Sequence, residues 1–147
     1  MKVLVLNCGS SSIKYKLFEM TTKEVLAQGG IEKIGLPGSF LKLTLPSGEK
    51  KIIEKDVPEH TTGVQFIFDT LTNPEYGAVK DLHEIKAVGH RVLHGGTKFS
   101  GSVLIDNAVI AAVEECWPKS QHSSTAAITA LSISTEPLNL VPPCNTR

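Results

Sequence analysis

The sequence predicts an α/β fold, built from a mixed sheet with flanking helices. Three observations lead to this prediction. A short apolar run at residues 3–6 is followed, after a polar turn, by a segment in which apolar and polar residues alternate. Further strand-like segments extend to residue 54. The apolar spacing then becomes helical over residues 64–71, before another strand-like run at residues 85–93.

The composition indicates a globular domain, or a piece of one. A chain of 147 residues with 41% hydrophobic and 20% charged side chains can form a core. The formal net charge of zero and the lack of a membrane-length apolar run argue against nucleic-acid and membrane partners. The first six residues resemble the start of a signal peptide, but the apolar run ends too early, at Asn7, which favours a cytoplasmic location.

The first two elements are predicted to form a β-hairpin. The continuous apolar run at residues 3–6 is typical of a central strand that is buried on both faces. Turn-forming residues follow at positions 7–12. Beyond the turn, apolar side chains share one face and polar ones the other: Ile13, Tyr15 and Leu17 against Ser12, Lys14 and Lys16.

An antiparallel meander is expected next. Residues 24–30 and 31–34 are predicted as two strand pieces with a glycine pair between them. Alternation of leucine with polar residues over positions 41–45 predicts a further strand. A Pro-Ser-Gly turn then leads into a returning strand over residues 50–54.

The second part of the chain combines helices with strands. Helical spacing predicts a helix over residues 64–71, which stops before Pro74. Residues 85–93 are predicted as a strand and residues 102–105 as a short one. Asp106 is a suitable N-cap for a second helix.

The turn after the first strand is the first candidate site. A tight Gly/Ser turn supplies backbone N–H groups and hydroxyls, and Lys14 adds a positive charge on the same face as Ser12. Asn7 ends the preceding strand, where its amide oxygen could face a metal ion or a metal-bound water. The pattern is not a Walker A loop, because GxxxxGK[ST] is absent. An ordinary Ser-rich hairpin with solvated lysines stays open as the alternative.

The second candidate site lies in residues 89–96. Arg91 stands in a β-prone run that ends in two glycines, and a guanidinium suits a bidentate grip on a carboxylate or phosphate. His90 and His94 are four residues apart, which suits a metal pair on a helix but not on the predicted strand. Each is expected to be a hydrogen-bonded structural histidine, or else a donor to an anion.

The three cysteines suggest neither a disulfide framework nor a zinc site. Their number is odd, their spacing shows no pairing, and CxxC is absent. Cys8 is a candidate nucleophile, although a small buried residue beside a strand end is the favoured interpretation.

Together, the two candidate sites resemble the signatures of the acetokinase family. Residues 3–15, VLVLNCGSSSIKY, are similar to its N-terminal signature, and residues 87–96, AVGHRVLHGG, to its second, with a fitting spacing between them. The resemblance covers residues 1–116. It implies the actin-like ATPase fold of acetate and sugar kinases, Hsp70 and actin, in which two α/β domains surround a nucleotide cleft. The chain is then expected to be a truncated, N-terminal part of that fold.

The resemblance also implies a chemistry. The family transfers a phosphoryl group between ATP and acetate with Mg²⁺, giving ADP and acetyl phosphate. By resemblance, Asn7 helps to bind Mg²⁺, while Ser10, Ser12 and Lys14 handle the phosphates. Arg91 is the implied catalytic residue, contacting the substrate and the transferred phosphoryl group. A propionate or butyrate kinase relative, a non-catalytic remnant and an actin-like binding module stay open. The full-length family form is expected to be a homodimer.

The chain changes character after Cys116. Residues 117–147 hold three charged side chains, whereas the first 116 residues hold 27, and no period survives. We therefore divide the chain into a partial acetokinase domain, residues 1–116, and an atypical loop-like tail, residues 117–147. A frameshift just after Cys116 is our hypothesis for the tail, and a genuine divergent tail is the alternative. A chain this short is expected to be weakly active or inactive, and marginally stable because a sheet edge is exposed.

Overall fold

The computed structural model describes residues 1–91, 103, 106–115 and 139–140. The regular elements of the first part of the chain, as far as Glu54, are strands, and the second part combines helices with strands. The strands are β1 (Lys2–Cys8), β2 (Ser12–Glu19), β3 (Glu24–Glu32), β4 (Phe40–Thr44), β5 (Lys50–Glu54), β6 (Ile85–Arg91) and β7 (Asn139–Leu140). The helices are α1 (His60–Leu71) and α2 (Asn107–Glu115), and a short 3-10 turn at Leu82–Glu84 precedes β6.

The described strands form one mixed sheet in the order β5-β4-β3-β2-β1-β6-β7. Strands β1 to β5 form an antiparallel meander, as the alternation predicted. By contrast, β6 runs parallel to β1 on its other side, after a crossover that includes α1. The predicted α/β class with a mixed sheet is therefore confirmed.

One face of the β1–β2 hairpin forms the centre of the core. Leu4 and Leu6 are fully buried, and each lies opposite a buried residue of β2, Leu17 and Tyr15 respectively. The prediction that β1 is buried on both faces is only half right, because the residues that alternate with these leucines are partly exposed. The sheet therefore offers a second, more open face to a ligand or to another part of the protein.

The glycine pair of β3 does not interrupt the strand, contrary to the prediction of two pieces. A Cβ atom on Gly29 would lie 2.1 Å from the carbonyl oxygen of Lys42 and 3.0 Å from the ring of Tyr15. On Gly30 it would lie 2.9 Å from the carbonyl oxygen of Ile13. These glycines allow close approach between strands and under an aromatic ring, which is a different use of glycine from a chain break.

Helix α1 covers the core face of the sheet and matches the predicted spacing. Its buried positions include Val64, Ile67, Phe68 and Leu71. Gly63 lets the helix approach β2, since a Cβ there would lie 2.9 Å from the Cδ1 atom of Ile13. Burying apolar side chains of this size contributes about 1.5–3 kcal/mol each, so this contact is a main source of stability.

The later predictions have mixed outcomes. Strand β6 begins as predicted, but residues 92 and 93 of that prediction lie outside the described residues. The short strand predicted at residues 102–105 is mostly outside them too, and Val103 is in no helix or strand. Asp106 is confirmed as the N-cap of α2, because its Oδ1 accepts the N–H of Val109 at 2.8 Å.

In the predicted tail, the structure describes only Asn139–Leu140. These two residues pair in parallel with Ala87 and Val88, so this part of the tail is a short strand and not a loop. No helix in the described part of the chain has the length and apolar character to cross a membrane.

Candidate active site

The turn between β1 and β2 consists of three residues, Gly9, Ser10 and Ser11. It is closed by the N–H of Gly9, which donates to the carbonyl oxygen of Ser12 at 2.7 Å. Ser10 and Ser11 are exposed and Ser12 is half-buried. A tight turn with hydroxyls at its tip is thus available to a ligand, as the sequence predicted.

Two long-range hydrogen bonds hold this turn in place. The Nε2–H of His60 donates to the carbonyl oxygen of Gly9 at 2.8 Å, and the N–H of Ile34 donates to that of Ser11 at 2.9 Å. The first bond could not be predicted from the sequence, because a lone histidine at a helix start has no characteristic spacing to a distant turn. Burial lowers the pKa of His60, and the bond to Gly9 partly opposes this shift.

Three of the predicted site residues meet in one row of the sheet. Asn7 of β1 lies opposite Lys14 of β2 in the antiparallel register and opposite Arg91 of β6 in the parallel register. Neighbouring strands are about 4.8 Å apart, so the three residues stand next to one another. We call Lys14, Asn7 and Arg91 the polar row. It lies at the end of β1 that leads into the turn.

The burial pattern confirms the predicted arrangement of the second strand. Ile13, Tyr15 and Leu17 are buried, whereas Lys14 and Lys16 are exposed. Because side chains alternate along a strand, Ser12 and Lys14 share the open face with Asn7. The structure therefore brings Asn7, Ser12 and Lys14 together beside Ser10.

A shallow cavity of about 370 Å³ lies on this open face. Its lining includes Val5, Asn7, Lys14, Lys16, Gln28 and Thr44. Within the described ranges, neither lysine has a carboxylate within ion-pair distance. Two uncompensated positive charges beside hydrogen-bonding side chains favour an anionic ligand.

A larger cavity, of about 740 Å³, is less suited to such a ligand. It lies beside the first residue of β1, Lys2, at the opposite end from the polar row. Lys2 forms an ion pair with Glu84, another residue of the cavity wall. The positive charge of Lys2 is therefore already compensated, which leaves Lys80 as the one unpaired cation of the described wall, against two in the shallow cavity.

His90 differs from its prediction. It is fully buried, and neither of its ring nitrogens has a hydrogen-bond partner among the described residues, so it is not the hydrogen-bonded histidine expected. It pairs with Leu6 on the core face, away from the cavity that Asn7 lines. Burial lowers the pKa of His90 to about 4, so its ring is neutral near pH 7. His94 lies outside the described residues.

Cys8 is the small buried residue that the sequence favoured. Its side chain is 3% exposed at the end of β1. Burial raises the pKa of its thiol to about 12, so the thiolate needed of a nucleophile is scarce at neutral pH. Cys8 therefore contributes to packing beneath the turn.

A model of the acetokinase family matches residues 2–143. The chain belongs to the acetokinase family. Acetate kinases of Phocaeicola vulgatus and Bacteroides thetaiotaomicron are 73% and 72% identical to it over 116 residues, which is 79% of this chain and 29% of each relative. The acetokinase-family chain described here thus spans less than a third of the length of these curated relatives.

Solved structures of the acetokinase family share this fold. The acetate kinase of Porphyromonas gingivalis superposes with a TM-score of 0.86 and 55% identity, covering 96% of this chain and 36% of that one. A propionate kinase from Francisella tularensis gives a TM-score of 0.78 at 28% identity, with the same coverage. The expected actin-like fold class is therefore confirmed.

Proposed function

We propose that this protein takes part in Mg²⁺-dependent phosphoryl transfer between ATP and acetate, which gives ADP and acetyl phosphate. The observation that carries the proposal is the polar row beside the Gly/Ser turn, in a chain of the acetokinase family. The row combines an ammonium, an amide and a guanidinium in neighbouring strands. This is a suitable set of groups for two anions that must meet, a carboxylate and a phosphate.

The turn and Lys14 would hold phosphate oxygens. Ser10 and Ser12 offer hydroxyls, and Lys14 offers a charge that no described carboxylate neutralises. Phosphoryl transfer depends mostly on positioning and on stabilising charge that spreads over the equatorial oxygens. A fixed turn with a free cation beside it meets both requirements.

Arg91 would bind acetate and the transferred phosphoryl group. Its backbone lies beside Asn7 in the parallel ladder, and β1 separates it from Lys14 on β2. A guanidinium binds a carboxylate or a phosphate through two parallel hydrogen bonds and cannot lose its proton at neutral pH. Arg91 is therefore the catalytic residue of the proposal.

Asn7 would help to bind Mg²⁺, directly or through a water molecule. The described residues include no group of three or more His, Cys, Asp or Glu placed to hold a metal ion. Mg²⁺ commonly keeps several waters and shares substrate phosphates, so one half-buried amide oxygen beside the phosphate turn fits this mode. When bound with ATP, Mg²⁺ neutralises part of the phosphate charge.

Propionate is the second candidate acceptor. The structural similarity to a propionate kinase favours it, but the identity of 28% is lower than the 55% shared with an acetate kinase. We also propose, from the family alone, a cytoplasmic location and a homodimeric longer form. Neither proposal enters the argument about the polar row.

The test uses the full chain with Mg·ATP, acetate and hydroxylamine, which traps acetyl phosphate as a hydroxamate. Hydroxamate that disappears in Arg91→Ala and persists in Lys86→Ala supports the proposal, because Lys86 is an exposed residue of the same strand. Calorimetric titration with Mg·ATP is run in parallel. Binding without hydroxamate would indicate a non-catalytic nucleotide-binding protein. The absence of both binding and hydroxamate would overturn the proposal.

A further inference from the structure

His60 joins helix α1 to the turn that the proposed function assigns to phosphate. It is the first residue of α1 and 8% exposed, and its Nε2 lies 2.8 Å from the carbonyl oxygen of Gly9. A carbonyl oxygen can only accept, so the proton of the neutral ring resides on Nε2. The bond therefore fixes both the tautomer of His60 and the direction of the Gly9 carbonyl.

That direction determines where the next N–H points. The described part of the chain contains no cis peptide bond. In a planar trans peptide the C=O of one residue and the N–H of the next point in opposite directions. Because the Gly9 carbonyl points toward α1, which covers the core face, the N–H of Ser10 points away from it. This is the side on which Asn7 and Lys14 lie.

The N–H of Ser10 is available to a ligand. Ser10 is exposed, and within the described ranges its N–H has no hydrogen-bond acceptor. The turn cannot rotate freely about this position, since the carbonyl oxygen of Ser11 is held by the N–H of Ile34 at 2.9 Å. An oriented backbone N–H costs no reorganisation when an anion arrives.

We infer that His60 is a positioning residue, which directs the backbone N–H of Ser10 toward the phosphate that binds at the β1–β2 turn. The inference rests on the proposed function, in that the turn must bind phosphate. It adds a donor, the Ser10 amide, and the buried residue that orients it. His60 does not touch the phosphate. Its effect passes through one peptide plane.

Substitutions at position 60 separate this role from simple packing. His60→Gln keeps an N–H the same number of bonds from the backbone as Nε2, and His60→Asn places its N–H one bond short. His60→Leu keeps the bulk and removes the donor. We expect His60→Gln to behave like the wild type, and the other two to bind phosphate about tenfold more weakly, as for the loss of one charge-assisted hydrogen bond. His83→Gln is the matched control, because His83 is exposed within the 3-10 turn.

The measurement is ¹H–¹⁵N NMR of the full chain, titrated with inorganic phosphate in the presence of Mg²⁺ at pH 7.5. In the wild type the Ser10 amide proton should move downfield as phosphate binds, and the His60 ¹⁵N shifts should report a protonated Nε2. In His60→Asn the Ser10 shift should be lost while the Lys14 amide still responds. Thermal melts of each variant show which of them fold.

The outcomes separate the inference from the proposed function. If the wild type shows no response of any turn amide to phosphate, the proposed function fails and this inference fails with it. If the wild type responds and His60→Asn gives the same Ser10 shift and affinity, only the inference is overturned. Should His60→Leu not fold, the comparison of Gln with Asn still decides, because both are polar amides and only Gln reaches Gly9.

Discussion

Asn7 lies directly opposite Arg91 in the parallel ladder between β1 and β6, although the whole meander and α1 separate them in the chain. On its other side, Asn7 lies opposite Lys14. The amide therefore stands between an ammonium-bearing and a guanidinium-bearing residue. Such an arrangement suits a phosphate and a carboxylate that bind next to each other, because the two positive charges offset the repulsion between the two anions.

Arg91→Ala is expected to lower turnover by about three orders of magnitude, in line with the loss of one cationic contact to a transferring phosphoryl group. Arg91→Lys should recover only part of this, since an ammonium lacks the bidentate geometry. Hydroxamate formation gives the rates, and circular dichroism confirms that the fold persists. Equal activity of Arg91→Ala and the wild type would remove Arg91 from the proposal.

Gly29→Ala tests the close approach of β3 to its neighbours. The added Cβ would lie 2.1 Å from a backbone oxygen of Lys42, which cannot move without distorting the ladder. We expect a loss of about 3 kcal/mol in the free energy of unfolding, as measured with urea. Gly48→Asn is the control. Gly48 has a φ of +86° and nothing within 4 Å of an added Cβ, so its change should stay within about 0.5 kcal/mol.

The stability of the protein is expected to fall as the pH decreases from about 6.5 to about 4. Burial lowers the pKa of His90 from 6.5 to about 4, so in this range the unfolded chain takes up a proton that the folded chain does not. The free energy of unfolding is therefore highest above pH 6.5, and it falls by on the order of 3 kcal/mol by pH 4. Burial shifts the pKa of His60 in the same direction.

His90→Leu should flatten this pH dependence while leaving stability near pH 7 unchanged or higher, because it removes a buried polar ring without a described partner. Tyr15→Phe serves as the control, since Tyr15 also buries an unpartnered polar atom but does not titrate in this range. Urea unfolding at several pH values gives both curves. An unchanged slope in His90→Leu would contradict the assignment.

Cys8 is expected to resist alkylation in the folded protein. Its thiol is buried, and burial raises the pKa of the thiol to about 12, so the reactive thiolate is rare at pH 8. Iodoacetamide should modify Cys8 only after denaturant is added, as peptide mass spectrometry would show. Rapid labelling of Cys8 in the native protein would instead restore the nucleophile interpretation.

The alternation of apolar residues was sufficient to predict the meander and the polar face of β2, and their helical spacing was sufficient to predict α1, whereas β1 was expected to be buried on both faces. Ile13 and Leu17 are buried as that pattern requires. The glycine pair of β3 was misinterpreted because glycine can either break a strand or let a neighbouring strand come close. The two uses can be distinguished only from the positions of Lys42 and Tyr15 in the fold, which cannot be read from the sequence.

The candidate site was predicted unevenly for a similar reason. Motif and alternation placed Asn7, Ser12 and Lys14 side by side, as the register of the hairpin has them, and their roles stay proposals. The bond from His60 to Gly9 was missed, because it joins segments 51 residues apart. That His90 has no hydrogen-bond partner among the described residues was missed as well, since hydrogen bonding in a core depends on tertiary packing.

The proposed frameshift predicts a specific DNA sequence. By resemblance, the acetokinase family continues after the position of Cys116 with a Pro-Leu-His-Asn segment and then an Asp, so another reading frame downstream of codon 116 should encode a similar segment. The loss of charge after Cys116 favours the shift, whereas the match of the family model as far as residue 143 favours a genuine divergent tail. Sequencing the coding DNA across this codon, with translation in all three frames, decides between them. The absence of such a segment from both alternative frames would eliminate the frameshift.

The parallel pairing of β6 with β1 sets an order of events during synthesis. The β1–β2 hairpin needs only its own residues and closes within about 1–10 μs once they are free. Arg91 reaches its place beside Asn7 only after the whole crossover has been translated, roughly 4–14 s later at about 5–20 residues per second. Each newly made chain therefore carries its serine turn for seconds before Arg91 can complete the polar row.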